Sequence, residues 1–309
     1  MGIKDPSKNY SDNIPTEIEL PLLSVEVKPS IYTLEIIKDK DEYENISDDD
    51  DDNDDEVDDG DEEEDGKEDE EEDDDEEDDE EDEEEDTLDI IAKQPQIPLP
   101  SYTLRALMKQ ILEGIHIIHS EGFIHRDIKC DNILIHCPQG TGRVYVKISD
   151  FGFTKKEDLN NEQLYYRGTI CYMAPEYFKK PRIITKKTDI YSVGITFYNI
   201  ITCSFPVNEN GIEEQKQKLA QLKCIEKPSE ITDNQLWGLL SQMFEFDPDK
   251  RISAEQALQH PFFTSPEAIA DISPEQHELA QKAIVEQQMG NKSITIFDTN
   301  PSYILKPSF

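Results

Sequence analysis

The most informative stretch of this chain is His125-Arg126-Asp127-Ile128-Lys129-Cys130-Asp131-Asn132, and Asp150-Phe151-Gly152 follows it. The first stretch contains the Asp127 carboxylate, Lys129 two residues later and the Asn132 side-chain amide five residues later. Asp150, eighteen positions after Asn132, adds a second carboxylate. Carboxylate and amide oxygens are ligands that Mg²⁺ accepts, and a carboxylate on a loop can also accept a proton. The two stretches therefore predict one proton acceptor and two metal-binding oxygens.

This set of groups resembles the catalytic loop H-R-D-x-x-x-x-N and the metal-binding element D-F-G of the eukaryotic protein kinases. Lys129 makes it similar to the serine/threonine branch. The resemblance implies that Asp127 positions the substrate hydroxyl, and that Lys129 offsets charge on the transferred phosphate. It also implies that Asn132 and Asp150 hold Mg²⁺ for bound ATP.

Further residues carry the resemblance along the chain. Gly168 and Thr169 are similar to the short segment of kinases that contacts a protein substrate, which we call the strip. The resemblance implies that Thr169 is hydrogen-bonded to Asp127 and Lys129. The resemblance also implies a buried ion pair between Glu176 and Arg251, and it implies that Asp189 anchors the backbone of the catalytic loop. Leu134 would form the apolar floor beneath the adenine.

The run from Ile31 to Ile37 resembles the strand that enters the hinge between kinase lobes. In that alignment Leu34 guards the nucleotide pocket, and the backbone of Glu35 to Ile37 forms the hinge. The same apolar run would also suit a core strand in another α/β protein.

Arg126 beside Asp127 suggests control by phosphorylation, because an arginine at this point favours an anion on the activation segment. We expect Tyr165, Tyr166 or the fixed charge of Glu162 to occupy the position that a phosphothreonine usually takes.

Charge is concentrated in one tract. The 309 residues carry a formal charge of −41, and the segment from Asp48 to Asp86 holds 34 acidic residues and one lysine, so it supplies −33 of that total. Such a segment repels itself and has little to bury, which predicts an extended, disordered stretch. The favoured interpretation is a solvated insertion, and the alternative is a tail that binds basic proteins such as histones.

The cysteine pattern and the hydropathy favour an intracellular protein, cytoplasmic or nuclear. Five scattered cysteines lack paired or metal-ligand spacing, which suggests reduced thiols. No segment has the ~20 uninterrupted apolar residues of a membrane helix. We expect a protein substrate and no direct contact with nucleic acid or membrane.

Helical periodicity and turn residues outline the remaining elements. Apolar residues from Leu104 to Ile118 recur at three- and four-residue steps, with Ser101 as a candidate cap and an end at Gly122. A hairpin is expected over 133–135 and 144–148, a short helix over 87–92, a buried helix from Asp189, and an amphipathic helix over 274–288.

These features predict an α+β, protein-kinase-like fold with a mostly helical large lobe, a truncated small lobe and a disordered acidic insertion. The expected divisions are a small-lobe and hinge remnant at 1–40, the acidic tract at 41–86, the large lobe at 87–264 and a C-terminal extension at 265–309.

One part of the family pattern is missing. The sequence has no G-x-G-x-x-G, no strand lysine for the α- and β-phosphates and no helix glutamate to hold that lysine. Three interpretations stay open. The chain is a serine/threonine kinase with an unusual small lobe or with its true N-terminus further upstream; it is a pseudokinase or scaffold that binds partners without catalysis; or it is an acidic-tract protein that uses the kinase-like lobe as a platform.

Overall fold

The computed structural model describes residues 86–94, 98–158 and 166–307. The predicted hinge residues Leu34, Glu35 and Ile37, the acidic tract up to residue 85, Glu162 and Tyr165 lie outside this part. Within it the helices are α1 (Asp89–Ala92), α2 (Ser101–Ser120), α3 (Lys186–Thr202), α4 (Ile212–Gln221), α5 (Asn234–Met243), α6 (Ala254–Leu258), α7 (Pro261–Thr264), α8 (Pro266–Ala270), α9 (Pro274–Gln288) and α10 (Ile296–Thr299).

Two small antiparallel sheets accompany the helices. The first has the strand order β1 (Asp86–Thr87), β3 (Ile133–His136) and β4 (Tyr145–Ile148), and the second pairs β2 (Phe123–Ile124) with β5 (Lys155–Lys156). In the hairpin, Ile133 lies opposite Ile148 and His136 opposite Tyr145. The predicted α+β fold with few strands and a mostly helical lobe is confirmed. Asp86, the last residue of the acidic segment, lies in β1 opposite Ile135.

Helix α2 forms where the apolar periodicity predicts it. One face of the helix lies fully in the core, because six of its apolar residues are at most 2% exposed: Leu107, Met108, Ile111, Leu112, Ile115 and Ile118. Its first turn differs from the expectation. Ser101 is the first helical residue and Pro100 takes the cap position, because the Ser101 hydroxyl donates a 2.6 Å hydrogen bond to Asp271 Oδ2 instead.

Helix α3 is buried on nearly every side, which explains its almost continuous apolar sequence. It begins three residues earlier than Asp189, where the Thr185 hydroxyl accepts a hydrogen bond from the Lys187 amide and caps the helix. No helix among the described residues combines the length and the apolar character needed to cross a membrane.

The chain after residue 264 packs back onto the lobe. Helix α9 spans the predicted residues and begins with a reciprocal cap, in which the Gln276 amide donates to Ser273 Oγ and the Ser273 amide donates to Gln276 Oε1. The Gln276 side chain then donates to the Ile304 carbonyl. A single bridge between Val144 and Leu305 joins the end of the chain to the strand that precedes Asp150.

Candidate active site

The loop between β2 and β3 is held by one buried carboxylate. Asp189 is fully buried at the start of α3, where it accepts hydrogen bonds from the amides of His125 (2.8 Å) and Arg126 (2.9 Å). His119 Nε2 lies 2.9 Å from the same carboxylate. Burial opposes ionisation of Asp189, but these hydrogen bonds and the nearby imidazoles outweigh it and lower the pKa of the carboxyl. The structure thus places Asp189 against the loop backbone.

Asp127, Lys129 and Thr169 meet at the centre of the site. Asp127 is 5% exposed, and its Oδ1 accepts 3.1 Å hydrogen bonds from both the amide and the hydroxyl of Thr169. Lys129 Nζ lies 3.1 Å from Asp127 Oδ2 and 3.4 Å from Thr169 Oγ1. A carboxylate, an ammonium group and a hydroxyl are therefore fixed together across 42 residues of sequence.

Gly168 allows the strip that carries Thr169 to approach the loop. Its φ is +97°, and a Cβ atom there would lie 2.5 Å from the Arg126 carbonyl oxygen. Only glycine accepts both this conformation and this contact without displacement. The close approach of the two backbones depends on this residue.

Asn132 and Asp150 lie at the ends of paired strands. The Asn132 side-chain amide donates to the carbonyl (2.9 Å) and to Oδ2 (3.2 Å) of Asp127. The Ser149 amide donates a 3.0 Å hydrogen bond to the Asn132 carbonyl, which ties the residue before Asp150 to Asn132. Asp150 is exposed and has a left-handed φ of 58°.

The donor chemistry of these two residues fits a magnesium ion. The Asn132 NH₂ group is used within the loop, so its side-chain oxygen is the atom left for a cation. Asp150 Oδ1 accepts only a local 3.3 Å hydrogen bond from the Gly152 amide, and in the described ranges its carboxylate has no cationic partner. Protein Mg²⁺ sites typically use one or two such oxygens together with water and phosphate oxygens. The described residues contain no cluster of three or more His, Cys, Asp or Glu side chains suited to a metal.

His125 and Phe151 connect the two loops. Their rings pack edge to face with centroids 4.9 Å apart, and His125 Nε2 lies 3.1 Å from the Ser149 carbonyl oxygen. His125 Nδ1 accepts from the Asp127 amide at 3.4 Å, so the neutral tautomer with the proton on Nε2 satisfies both contacts. Burial lowers the pKa of His125 and supports the neutral form.

Leu134 lies on the less buried face of β3. Its neighbours Ile133 and Ile135 are buried, while Leu134 is half-buried and pairs with Thr87 and Lys147. Alternation along a strand places its side chain on the opposite face from those isoleucines. The predicted hinge partners of this floor lie outside the described residues.

Glu176 and Arg251 form a buried, two-pronged ion pair. Arg251 Nη1 and Nη2 lie 2.5 and 2.9 Å from the two Glu176 oxygens. Arg251 also donates to the carbonyls of Lys187 and Glu245. The pair joins the strip after Thr169 to the segment before α6.

Of the residues predicted to be regulatory, Arg126 and Tyr166 lie in the part of the chain that the structure describes. Arg126 Nε donates to the Phe153 carbonyl, so the arginine already bridges the loop and the segment after Asp150. Tyr166 packs 5.9 Å from the Phe178 ring, with the Arg182 guanidinium 3.9 Å above its own ring.

Sequence reasoning did not identify two contributors. His119 lies among apolar residues at the end of α2, and its sequence context gives no sign of a polar partner. Its side chain nevertheless contacts Asp189, seventy residues later in the chain. Asp298, in a segment without a readable motif, binds Arg143 beside the hairpin. No local pattern marks either contact, because each depends on long-range packing.

Comparison with known proteins agrees with this arrangement. Residues 80–263 match the model of the protein kinase domain. The chain is 35% identical over 176 residues to the serine/threonine-protein kinase cds1 of Schizosaccharomyces pombe. It is 34% identical over 168 residues to mouse mitogen-activated protein kinase kinase kinase 15, and 27% identical over 188 residues to the serine/threonine-protein kinase SRK2F of Arabidopsis thaliana.

These alignments cover 52%, 53% and 60% of this chain and 35%, 12% and 52% of the three relatives, in that order. The chain therefore matches about half of the third relative and less of the other two. The family model, in contrast, matches more than half of this chain. The chain belongs to the protein kinase family.

Proposed function

We propose that this protein is a serine/threonine protein kinase that transfers the γ-phosphate of ATP to a hydroxyl group of a protein. One observation carries the proposal most directly. The Lys129 ammonium lies 3.1 Å from Asp127 and 3.4 Å from the Thr169 hydroxyl, in a largely buried cluster. Packing alone gives no reason to gather a carboxylate, an ammonium and a hydroxyl at this point, since each is costly to bury.

This geometry supports a role for each residue. Asp127 Oδ2 faces Lys129 and Asn132, and Asp127 would orient the acceptor hydroxyl of the substrate. A carboxylate suffices, because phosphoryl transfer needs little proton removal before attack. Lys129 would offset negative charge as it moves toward the acceptor oxygen. Gly168 and Thr169 would hold the substrate backbone beside this cluster.

Nucleotide and metal binding complete the proposal. Asn132 and Asp150 would hold Mg²⁺, which supplies charge neutralisation on the phosphates when bound. Leu134 would support the adenine from below, with Leu34, Glu35 and Ile37 as its hinge partners. The sequence lacks the family's glycine-rich loop and strand lysine.

The test is transfer of labelled phosphate from ATP to a generic basic protein. Wild type should show Mg²⁺-dependent transfer to serine or threonine, and Asp150→Asn and Asp127→Asn should each lose it. Asp249→Asn makes the same chemical change at an exposed carboxylate far along the chain, and it should match wild type. Equal signals in wild type and in both active-site variants would exclude catalysis by this site. Thermal unfolding of every variant would show whether each one is folded.

A second candidate function is a pseudokinase or scaffold that binds partners through the large lobe. The absence of a strand lysine favours it. Nucleotide binding without phosphate transfer, or partner capture unchanged in Asp127→Asn, would support this alternative over the first.

As the alternative to a solvated insertion, we also propose that the acidic tract binds basic proteins such as histones. The deletion that tests this should span residues 48–84, because Asp86 and Thr87 form β1. Salt-dependent retention on immobilised histone should fall in the deletion variant, and unchanged retention would contradict the proposal.

A reducing compartment, cytoplasmic or nuclear, suits the five cysteines, all of which are free thiols.

A further inference from the structure

Strand β4 lies at the edge of its sheet, and other parts of the chain cover that edge. The Val144 amide, just before β4, donates a 3.1 Å hydrogen bond to the Leu305 carbonyl. The Val146 amide donates to Gln110 Oε1 at 2.9 Å, and Gln110 Nε2 donates to the Tyr303 carbonyl at 2.6 Å. Residues 295–305, which we call the C-terminal strap, thus meet this edge directly at Val144 and through Gln110 at Val146.

Asp298 is the polar centre of the strap. It is 2% exposed and accepts hydrogen bonds from the Arg143 guanidinium and, at 2.6 Å, from the Tyr145 hydroxyl. Its other oxygen accepts from the amide (2.9 Å) and hydroxyl (2.8 Å) of Thr295. Arg143 is 8% exposed, so this is a buried ion pair whose two members come from the hairpin and the strap.

The hairpin leads from this ion pair directly to the candidate metal site. Strand β4 begins at Tyr145 and ends at Ile148, and the next amide, that of Ser149, is bonded to Asn132. Asp150 then takes a left-handed φ of 58°. A non-glycine residue keeps such a strained conformation only where the surrounding structure holds it. On the other flank Phe151 packs against His125.

We propose that Asp298 is a positioning residue for the metal site, because through Arg143 and Tyr145 it fixes the strand that sets Asp150 relative to Asn132. The inference rests on the proposed function, since it assigns Asp150 to the metal. Asp298 lies outside the matched domain, which ends at residue 263, so this positioning depends on a segment added after it.

Removal of the Asp298 charge should loosen one end of the hairpin. Arg143 would then be a buried charge without its carboxylate partner. Removal of one member of a buried ion pair is more damaging than removal of both members. We expect the segment 145–151 to open more often, and the affinity for the metal to fall because its two protein oxygens are no longer held together.

The experiment compares the full-length Asp298→Asn variant with wild type by two readouts. Hydrogen exchange of the metal-free protein should be about tenfold faster over residues 145–151 and unchanged in α3. Mn²⁺ binding, followed by electron paramagnetic resonance with a non-hydrolysable ATP analogue present, should weaken about tenfold.

Asp271→Asn is the matched control. Asp271 also lies after residue 264 and pairs with an arginine, Arg105, but on α2 rather than on the hairpin. It should leave both readouts at the wild-type level. Tyr145→Phe removes only the hydroxyl that binds Asp298, and it provides a milder test if Asp298→Asn does not fold.

Changes within about twofold of wild type in both readouts would overturn the inference. Faster exchange spread evenly over the whole chain would also overturn it, because Asp298 would then stabilise the fold without positioning Asp150. A wild type that binds no Mn²⁺ would instead remove the proposed function, and the exchange comparison would still decide whether Asp298 fixes this segment.

Discussion

The Arg126 amide donates a 2.9 Å hydrogen bond to Asp189 while Arg126 holds a left-handed φ of 72°. The strained turn that aims Asp127 into the site is therefore fixed by a carboxylate 63 residues later in the chain. The preceding amide, of His125, donates to the other oxygen of the same side chain. A single buried carboxylate thus holds two consecutive backbone groups of the loop between β2 and β3.

Asp189→Asn should destabilise the protein and the loop together. The asparagine side chain offers one acceptor oxygen, so one of the two backbone amides would face an NH₂ group. An unsatisfied buried group costs about 1–3 kcal/mol, and chemical denaturation should show a loss of this size. Glu213→Gln alters an exposed helical pair with Lys216 and should leave the stability nearly unchanged. Wild-type stability in Asp189→Asn would contradict the anchoring role.

His125 predicts a pH dependence of stability. Burial lowers the pKa of His125 below the ordinary value of 6.5. At a pH between the folded and unfolded values, the unfolded chain therefore binds a proton on this residue and the folded protein does not. Stability is therefore fully present above about pH 6.5 and falls as the pH drops from there toward the lowered folded value, by up to ~1.4 kcal/mol per pH unit.

Urea unfolding at several pH values between about 5 and 8 measures this slope. His125→Phe should flatten it, and His277→Gln, at an exposed histidine on α9, should keep it. An identical slope in wild type and His125→Phe would show that another group is responsible.

Gly168→Ala should impair phosphate transfer more than stability. The new methyl group would meet the Arg126 carbonyl at 2.5 Å, so the strip that carries Thr169 must move away from Asp127. Gly122→Ala is the control, because Gly122 has a similar φ of +86° with no atom within 4 Å of the added carbon. Both variants incur a backbone cost of about 1–2 kcal/mol, but only Gly168→Ala should lose transfer. Equal activity in the two variants would contradict a close-approach role.

The Arg251–Glu176 pair predicts a non-additive result. Arg251→Met should cost about 3–5 kcal/mol, because Glu176 would keep a buried charge without a partner. The double variant with Glu176→Leu should recover part of that loss in a double-mutant cycle. Lys250→Met, which breaks an exposed pair with Asp247, should change little. Additive losses in the cycle would show that the two side chains act independently.

The individual helices and strands could be predicted from local sequence patterns. The apolar steps from Leu104 to Ile118 specified α2, the turn-separated apolar runs specified the β3–β4 hairpin, and the proline at position 274 began α9. The order and spacing from His125 to Asp150 indicated the family. These features are readable because helix periodicity, strand alternation and loop motifs depend on neighbours within a few residues.

Contacts between side chains that are distant in the sequence could be identified only from the folded protein. His119 and Asp189 lie 70 residues apart, and Arg143 and Asp298 lie 155 apart, yet each pair is buried in contact. The Ser101 hydroxyl likewise donates a hydrogen bond to Asp271, and Pro100 occupies the cap position of α2. The two buried pairs form because packing removes both partners from water, and an unmet polar group is costly once buried. No local sequence pattern records which partner that packing supplies.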